Sequence, residues 1–293
     1  MVQTKQSMVE TIKEQYVMTV FICGSTGRLG RSVTKIFEHE TTVVAPTRKK
    51  LDLTSKDDMQ EVIEANQPSI VINCAAWTDV DGCEKNPELA KEINTILPQR
   101  LSELSKKVGA HLVHISTDFV FDGKSDAPYN EEQFPNPISV YGQTKLDGEI
   151  GAGPNATIIR TSWLQAQDDS NMVKWILESF KKTGSVEVPN DRLANPTFVS
   201  DLLPVIKHFA ELRYEGVVHA TNEGTTNWCE FAKFVAEKSH NDPTRVIPSE
   251  AEKLNRVAER PAFSALDNAV IREEKIDPIR HHRDAVLDLL SQR

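Results

Sequence analysis

Cysteine is scarce in this chain, with four among 293 residues: Cys23, Cys74, Cys83 and Cys229. No two of them form a C-x-x-C pair, so the spacing indicates neither a disulfide framework nor a zinc motif. We expect reduced, buried thiols of the kind found in cytoplasmic proteins, and no metal site.

Long apolar runs and an excess of positive charge are also missing. No apolar run approaches the roughly 18 residues of a membrane span. Lys and Arg number 34 against 43 Asp and Glu, and the net charge of -9 argues against nucleic acid or an anionic membrane as a partner. Residues 1–17 are polar and lack the apolar core of a secretion signal, so we expect an N-terminal tail.

A glycine-rich turn follows the first apolar run. Residues 18–23 predict a buried strand, and Gly24-Ser-Thr-Gly-Arg-Leu-Gly30 leads from it into a helical pattern that ends near Glu38. Such a turn lets backbone N–H groups approach a pyrophosphate at the positive end of a helix. The placement predicts a dinucleotide site, with a plain strand–helix turn as the alternative in about one case in five.

Basic residues follow the second predicted strand, which spans residues 41–45. An NAD site favours Asp or Glu there to hold the ribose 2′-OH, whereas this chain has Arg48, Lys49 and Lys50. Cations suit a 2′-phosphate, so the sequence favours NADPH, with NADH as the alternative and three solvated loop cations as the simplest explanation. Asp52 and Leu53 come next, placed to contact the adenine.

Strands and helices alternate through the first half of the chain. This alternation predicts an α/β fold, a Rossmann-type doubly wound parallel sheet with a smaller C-terminal α/β substrate lobe. We predict an NAD(P)-binding domain over residues 18–164. Residues 165–293 are predicted to be mainly a nucleotide-sugar-binding lobe, with room for some of its segments to return to the main sheet. Predicted strands at 69–73, 111–115 and 156–160 place the segments after them at the ligand-binding edge of the sheet.

A tyrosine and a lysine lie one helical turn apart in Tyr141-Gly-Gln-Thr-Lys145, inside a helix predicted over residues 138–151. At an effective dielectric of about 20, opposite charges about 4 Å apart attract by roughly 4 kcal/mol. A lysine there favours the tyrosinate and makes the phenol a usable proton donor or acceptor near neutral pH. Alone, the motif arises by chance in about one such chain in five, so its meaning depends on the other segments.

Several segments occur in the order of a known family. They are Gly24-Ser-Thr-Gly-Arg-Leu-Gly30, Ser116-Thr-Asp-Phe-Val-Phe-Asp-Gly123, Tyr141-Gly-Gln-Thr-Lys-Leu-Asp-Gly-Glu149, Arg160-Thr-Ser-Trp163, Asn195-Pro-Thr197 and Arg260-Pro-Ala-Phe-Ser264. Over about residues 18–290 they resemble the extended short-chain dehydrogenase/reductases, and within that group the dTDP-4-dehydrorhamnose reductase family. The resemblance implies NADPH-dependent reduction of the C4 keto group of a nucleotide-linked 4-keto-6-deoxy sugar, giving dTDP-L-rhamnose or a related deoxysugar, by a monomer or homodimer.

The resemblance also implies roles for individual residues. The catalytic centre would be Thr117, Tyr141 and Lys145, with Tyr141 protonating the developing alkoxide and Thr117 hydrogen-bonding it. Together with the glycine turn, the family pattern gives these cofactor-binding residues: Gly24, Ser25, Thr26, Gly27, Arg28, Leu29, Gly30, Arg48, Lys49, Asp52, Leu53, Cys74, Ala75, Ala76, Asn94, Ser116, Tyr141 and Lys145. The implied substrate-binding residues are Thr78, Val80, Asp118, Phe119 and Trp163 around the sugar, and Asn171, Arg192, Asn195, Thr197 and Arg260 around the nucleotide diphosphate.

The chain departs from the family pattern at three places. Phe119 stands where a tyrosine is usual, the loop at Asp191-Arg-Leu-Ala-Asn195 lacks the usual Gln-x-Gly, and no Tyr-Gly follows Trp163. These differences leave the reduction chemistry intact and leave the base and the sugar configuration open.

Two other functions fit the same motifs. One is a non-catalytic NADP-binding regulatory subunit resembling the methionine adenosyltransferase β subunit. The other is a nucleotide-sugar epimerase or dehydratase, which would retain NAD. The absence of Asp or Glu after the second strand counts against the epimerase or dehydratase.

Overall fold

The computed structural model describes residues 18–166 and 171–292, so the predicted tail at 1–17 lies outside the described residues. The strands are β1 (Thr19–Cys23), β2 (Thr42–Val44), β3 (Ile70–Asn73), β4 (His111–Thr117), β5 (Thr157–Thr161), β6 (Leu164–Gln165), β7 (Val186–Pro189), β8 (Thr197–Phe198), β9 (Gly216–His219) and β10 (Val246–Ser249). The main sheet has the order β2-β1-β3-β4-β5-β9, and every neighbouring pair is parallel. The order reverses beside β1, which places a ligand-binding switch point there and confirms the predicted Rossmann-type sheet.

Helices connect the strands. The α-helices are α1 (Arg28–Glu38), α2 (Lys56–Asn66), α3 (Val80–Lys85), α4 (Pro87–Lys91), α5 (Leu97–Val108), α6 (Val140–Ala152), α7 (Met172–Thr183), α8 (Val199–Leu212), α9 (Trp228–Lys238), α10 (Ala269–Glu273) and α11 (His282–Ser291). A π-helical segment, Glu92–Ile96, joins α4 to α5, and 3-10 turns occur at Asp118–Val120, Pro243–Arg245 and Ala251–Leu254. No helix among the described residues is long and apolar enough to cross a membrane.

Both faces of the main sheet are covered. Successive residues of β1 point to opposite faces, so Ile22 packs on the side of α1 and α8, whereas Phe21 packs on the side of α2 and α5. All four residues of β3 are buried, because helices cover both faces of the sheet. A sheet buried on both faces needs the near-continuous apolar strands that the sequence contains.

A second, smaller core lies in the later part of the chain. Strands β7 and β10 pair in parallel and are covered by α7, α9 and α11, with Val188, Phe180 and Val235 buried between them. Strand β9 joins the main sheet beside β5, although it lies beyond residue 164. The division of the chain at residue 164 stays a prediction.

The observed elements differ from the predicted ones at a few places. The helix predicted from Pro87 to Lys107 contains the π-helical segment Glu92–Ile96, in which the buried Asn94 side chain bonds the backbone of Trp77. Strand β4 runs two residues further than predicted and includes Thr117. Strands β6, β8 and β10 were not predicted, since short pairs of this kind leave no clear periodic signal.

Candidate active site

The glycine turn brings two strand ends close together. Gly24 has φ +77°, and a Cβ at this position would lie 2.6 Å from the backbone nitrogen of Ala75. A Cβ on Gly30 would overlap the carbonyl oxygen of Gly24. The Ser25 hydroxyl donates to the carbonyl of Pro46 at 2.9 Å, which ties the turn to the end of β2. The turn therefore presents bare backbone at the N-terminus of α1.

A crevice of about 390 Å³ opens over this turn. The predicted cofactor residues that line it are Gly27, Arg28, Leu29, Cys74, Ala76, Ser116, Tyr141 and Lys145. Ser25 and Ala75 are buried. The Ser116 hydroxyl donates to the Glu149 carboxylate, which Arg160 also holds at 2.7 Å, so this hydroxyl is directed under α6.

Four further predicted cofactor residues, Arg48, Lys49, Asp52 and Asn94, do not line the crevice. Arg48 and Lys49 are exposed in the turn after β2. The Asp52 carboxylate accepts the Thr54 hydroxyl at 2.7 Å and its backbone N–H at 2.9 Å, and the two bonds lower the pKa of Asp52. Asn94 is buried and its amide oxygen accepts the Trp77 N–H at 2.8 Å, so it fixes the loop after β3.

Tyr141 and Lys145 are both buried on α6, but their polar atoms have separate partners. Burial raises the pKa of the Tyr141 phenol above its ordinary value, and a hydrogen bond with Thr117 opposes that rise. The Lys145 Nζ donates to the Ile115 carbonyl at 2.6 Å, and burial lowers the pKa of Lys145 to about 8. The sequence-based expectation of a lysine that depresses the phenol pKa was therefore wrong for this geometry, because burial dominates at Tyr141.

Thr117 ends β4 beside the phenol. Its Oγ1 lies 3.0 Å from Asp118 Oδ1 and accepts the Phe119 N–H at 3.2 Å. The Phe119 ring packs edge-on against the Tyr141 ring, with centroids 5.7 Å apart. Three predicted site residues from β4 and its following turn thus surround one phenol.

A second cavity of about 680 Å³ adjoins the crevice. Thr78, Val80, Phe119 and Trp163 line both spaces, so four of the five predicted sugar residues lie at the junction. The Trp163 ring stacks on Trp228 with centroids 3.8 Å apart. An aromatic wall next to the phenol is suited to an apolar sugar face.

The second cavity is lined by charged side chains of both signs, among them three arginines and the carboxylates of Asp79, Asp81 and Glu187. Arg192, Arg256 and Arg260 line it. Arg260 donates to Asp81 at 3.0 Å, and this bond lowers the pKa of Asp81 to about 2. Among the described residues, Arg192 Nε is one of the few buried side-chain nitrogens or oxygens without a hydrogen-bond partner. A buried donor without a protein partner is able to pair with an anionic ligand.

Three predicted diphosphate residues do not line either cavity. The Asn171 side chain accepts from the Lys174 N–H at 2.8 Å and caps α7. The Asn195 side chain accepts the Leu266 N–H at 2.8 Å. Thr197 is fully buried in β8. Their assignment as nucleotide ligands stays a prediction.

The structure adds residues that the sequence analysis did not single out. They are Asp81, His114, Thr161, Trp228, Arg256 and Ser264. The positions of His114 and Thr161 in strands that lead to the crevice are the signal that could have found them. Arg256 and Trp228 come from loops and helix starts with no such pattern. Among the described residues, no cluster of three or more His, Cys, Asp or Glu is placed to hold a metal ion.

The chain is similar to proteins of one family over most of its length. The family model described as RmlD substrate binding domain matches residues 18–293. A probable dTDP-4,6-dihydroxy-2-methyloxan-3-one 4-ketoreductase of Streptomyces antibioticus is 35% identical over 275 residues, which cover 92% of this chain and 93% of that protein. A dTDP-4-dehydrorhamnose reductase of Streptomyces griseus is 33% identical, covering 91% of each chain. The crystal structure of dTDP-4-dehydrorhamnose reductase from Bacillus anthracis in complex with NADP has a TM-score of 0.89 at 30% identity, covering 95% of this chain and 99% of that one.

Proposed function

The chain belongs to the RmlD substrate binding domain family, and we propose that it reduces the C4 keto group of a dTDP-linked 4-keto-6-deoxy sugar with NADPH. The family resemblance seen in the motifs is thereby confirmed. One observation carries the activity: Thr117, Tyr141 and Lys145 lie in a crevice that meets a second, arginine-lined cavity. The names of the relatives include more than one 4-keto sugar, so the proposal covers the class of dTDP-deoxysugars.

The residues of the crevice fit NADPH. Neighbouring backbone leaves no room for a side chain at Gly24 or Gly30, so the turn exposes only main chain there. Its backbone N–H groups at the start of α1 can hold a pyrophosphate. Arg28 lines the crevice at the same point. Arg48 and Lys49, at the end of β2, are proposed to attract the 2′-phosphate. When bound, NADPH supplies the hydride for the reduction.

Tyr141 is the proposed proton donor. Its raised pKa keeps the phenol protonated at neutral pH, which is the form that a keto reduction requires. The proton passes from the phenol oxygen to the substrate oxygen as that oxygen gains negative charge. The Thr117 hydroxyl, adjacent to the phenol, is proposed to donate to the same oxygen in the complex, in place of its bond to Asp118 Oδ1.

Lys145 lines the crevice and is proposed to hold the nicotinamide ribose of the cofactor. With its pKa lowered to about 8, the amine is still mostly protonated at pH 7. Its Nζ donates to the Ile115 carbonyl, and burial, not the ammonium, dominates the pKa of Tyr141.

The second cavity is proposed to take the nucleotide sugar. Arg192 and Arg260 offer guanidinium groups to the diphosphate, and Arg256 adds a third positive charge to the lining. Trp163, stacked on Trp228, forms a rigid wall for the sugar, next to Phe119. Asn171, Asn195 and Thr197 are proposed to shape the surrounding loops.

The remaining proposals concern the protein as a whole. We propose that residues 18–164 bind the cofactor and that residues 165–293 mainly bind the nucleotide, with α8 and β9 among the segments that return to the main sheet. The described cysteines are free, which supports a cytoplasmic location. We propose a monomer or homodimer.

The decisive experiment follows NADPH oxidation with dTDP-, UDP- and GDP-linked 4-keto-6-deoxy sugars. We expect turnover with the dTDP-linked sugars. Absence of turnover with every sugar, together with intact NADPH binding, would contradict the proposal and favour the regulatory function. Conversion of a dTDP-sugar without net NADPH consumption would instead identify an epimerase or dehydratase.

A further inference from the structure

The carboxylate of Asp118 is engaged on both sides. Asp118 is 2% exposed, although it lines the crevice. Its Oδ1 accepts the Thr117 hydroxyl at 3.0 Å, and its Oδ2 accepts the Ser264 hydroxyl at 2.5 Å. Each oxygen of the carboxylate thus already accepts one protein hydroxyl, which fixes the orientation of the group.

Ser264 belongs to a backbone unit that carries the cavity arginines. The Ser264 N–H donates to the Leu193 carbonyl at 2.7 Å, and the Leu193 N–H donates to the Ala262 carbonyl at 2.9 Å. Arg192 precedes Leu193, and Arg260 lies on the same segment as Ser264. Main-chain hydrogen bonds therefore join the segment that carries Arg192 to the segment that carries Arg260 and Ser264.

The hydroxyl of Thr117 has one proton to donate and two lone pairs that accept. The Phe119 N–H uses one lone pair at 3.2 Å. The bond to Asp118 fixes where the proton points. Any shift of Asp118 consequently changes which group receives the Thr117 proton beside the Tyr141 phenol.

We propose that Asp118 and Ser264 are positioning residues that couple binding of the nucleotide diphosphate at Arg192 and Arg260 to the orientation of the Thr117 hydroxyl. The inference rests on the proposed function. Hydrogen bonds connect the arginine-bearing segments to Ser264, Ser264 to Asp118, and Asp118 to Thr117, so diphosphate binding can affect the reacting centre. Interactions remote from the reacting atoms raise kcat in this manner when they fix the catalytic geometry.

The first test is Ser264→Ala, with Ser102→Ala as the matched control. Ser102 is equally buried, and its hydroxyl donates to the Ala152 carbonyl at 2.6 Å, away from the crevice lining. We expect Ser264→Ala to lower kcat about tenfold or more, with the Kd values of NADPH and of dTDP changed less than about twofold. Ser102→Ala should leave kcat near that of the wild type. Equal kcat in the two variants would overturn the proposal.

The second test compares two changes at Asp118, and it applies even if Ser264→Ala fails to fold. Asp118→Asn keeps the shape, with an oxygen that accepts from Thr117 and an amide that reaches Ser264. Asp118→Ala removes both bonds. We expect Asp118→Asn to retain at least about tenfold more kcat than Asp118→Ala at equal NADPH affinity. Equal loss in both variants would overturn the positioning role.

The pH profile of kcat supplies a readout that a purely structural role would not move. Burial raises the pKa of Asp118 to about 7, and the Ser264 bond opposes that rise. The groups facing this carboxylate are the Thr117 and Ser264 hydroxyls, the Phe119 N–H and the Tyr141 phenol.

The Ser264 hydroxyl stabilises the charged carboxylate, so Ser264→Ala should raise the pKa of Asp118 and move the change of kcat near pH 7 to higher pH. Asp118→Asn has no carboxyl group to titrate, so its kcat profile should lack that change. Lys145 titrates in the same centre with a pKa of about 8, so the pH at which kcat changes does not by itself identify the group. The difference in that pH between the wild type and the variants identifies Asp118. An unchanged pH profile in the variants overturns the proposal. A wild-type protein without turnover on any dTDP-sugar would instead remove the proposed function itself.

Discussion

Nζ of Lys145 lies 3.3 Å from Nε2 of His114 at the end of a buried polar chain. On the other side of the ring, His114 Nδ1 lies 3.1 Å from the Asn73 amide nitrogen, whose companion oxygen accepts the Ala75 N–H at 3.0 Å. The amide therefore donates to Nδ1, and a neutral ring carries its proton on Nε2, facing the lysine. A donor facing an ammonium disfavours the charged form of the lysine, in the same direction as burial.

The stability of the Lys145→Met variant tests this environment. The folded-state pKa of Lys145 is lowered from 10.5 to about 8, so below pH 8 the folded protein bears the cost of a buried ammonium. Between pH 8 and 10.5 the unfolded chain binds more protons, and rising pH favours the folded state by the order of 3 kcal/mol.

Lys145→Met lacks this term, so its stability relative to the wild type should be greatest near pH 7 and should decrease as the pH approaches 10. Urea unfolding of both proteins at the two pH values measures the difference, and the comparison cancels the titration of other groups. A constant difference would contradict a depressed lysine pKa.

Tyr141→Phe tests the proton donor. The change removes one hydroxyl from a buried ring that packs against Phe119, so the fold and the cofactor crevice should persist. We expect turnover to fall by a factor of about 10² or more with nearly unchanged NADPH affinity. Stopped-flow NADPH oxidation and fluorescence titration measure the two quantities. Near-wild-type turnover would remove Tyr141 from the mechanism.

The sheet was predictable because its strands are short apolar runs bounded by turn residues. The run before Gly24 and the one before Cys74 needed no tertiary information, since strands buried on both faces are apolar throughout. The position of β9 was not predictable in detail, because a four-residue strand can join either sheet. Strand β10 and the loops around it depend on packing against β7 and α9, which local sequence does not encode.

The site divides in the same way. Residues at strand ends, such as Ser116 and Thr117, were placed by topology, because the carboxyl ends of parallel strands share one edge. The hydrogen-bond partners of Lys145 were not predictable from the sequence, since the depth of burial decides whether its ammonium contacts a phenol or a backbone carbonyl. Arg256 and Ser264 come from a loop whose approach to the second cavity depends on long-range pairing with the Leu193 segment.

Removing two cations after β2 tests the cofactor preference. Arg48 and Lys49 are exposed at the end of the strand next to β1, where a 2′-phosphate is proposed to lie. The double change to Ala should raise the KM for NADPH by about tenfold and leave the KM for NADH within about twofold. The charge-matched control is Lys181→Ala with Lys182→Ala at the end of α7, which should leave both values unchanged. Equal effects on the two cofactors would mean that the basic turn does not read the 2′-phosphate.

Arg192 is the most specific test of the nucleotide cavity. Its Nε is buried without an acceptor among the described residues, while its NH1 group lies 3.4 Å from the Asp191 carboxylate. A diphosphate oxygen that pairs with Nε would satisfy the orphaned donor, and a lysine has no donor at that point of its side chain.

Both Arg192→Lys and Arg192→Ala should therefore raise the Kd of dTDP, by about tenfold or more, although the first keeps the charge. Isothermal titration with dTDP and with thymidine separates the diphosphate from the base. Both variants should bind thymidine as the wild type does. If Arg192→Lys retained wild-type dTDP affinity, the contribution of Arg192 would be its charge alone, and the unpaired Nε would not contact the ligand.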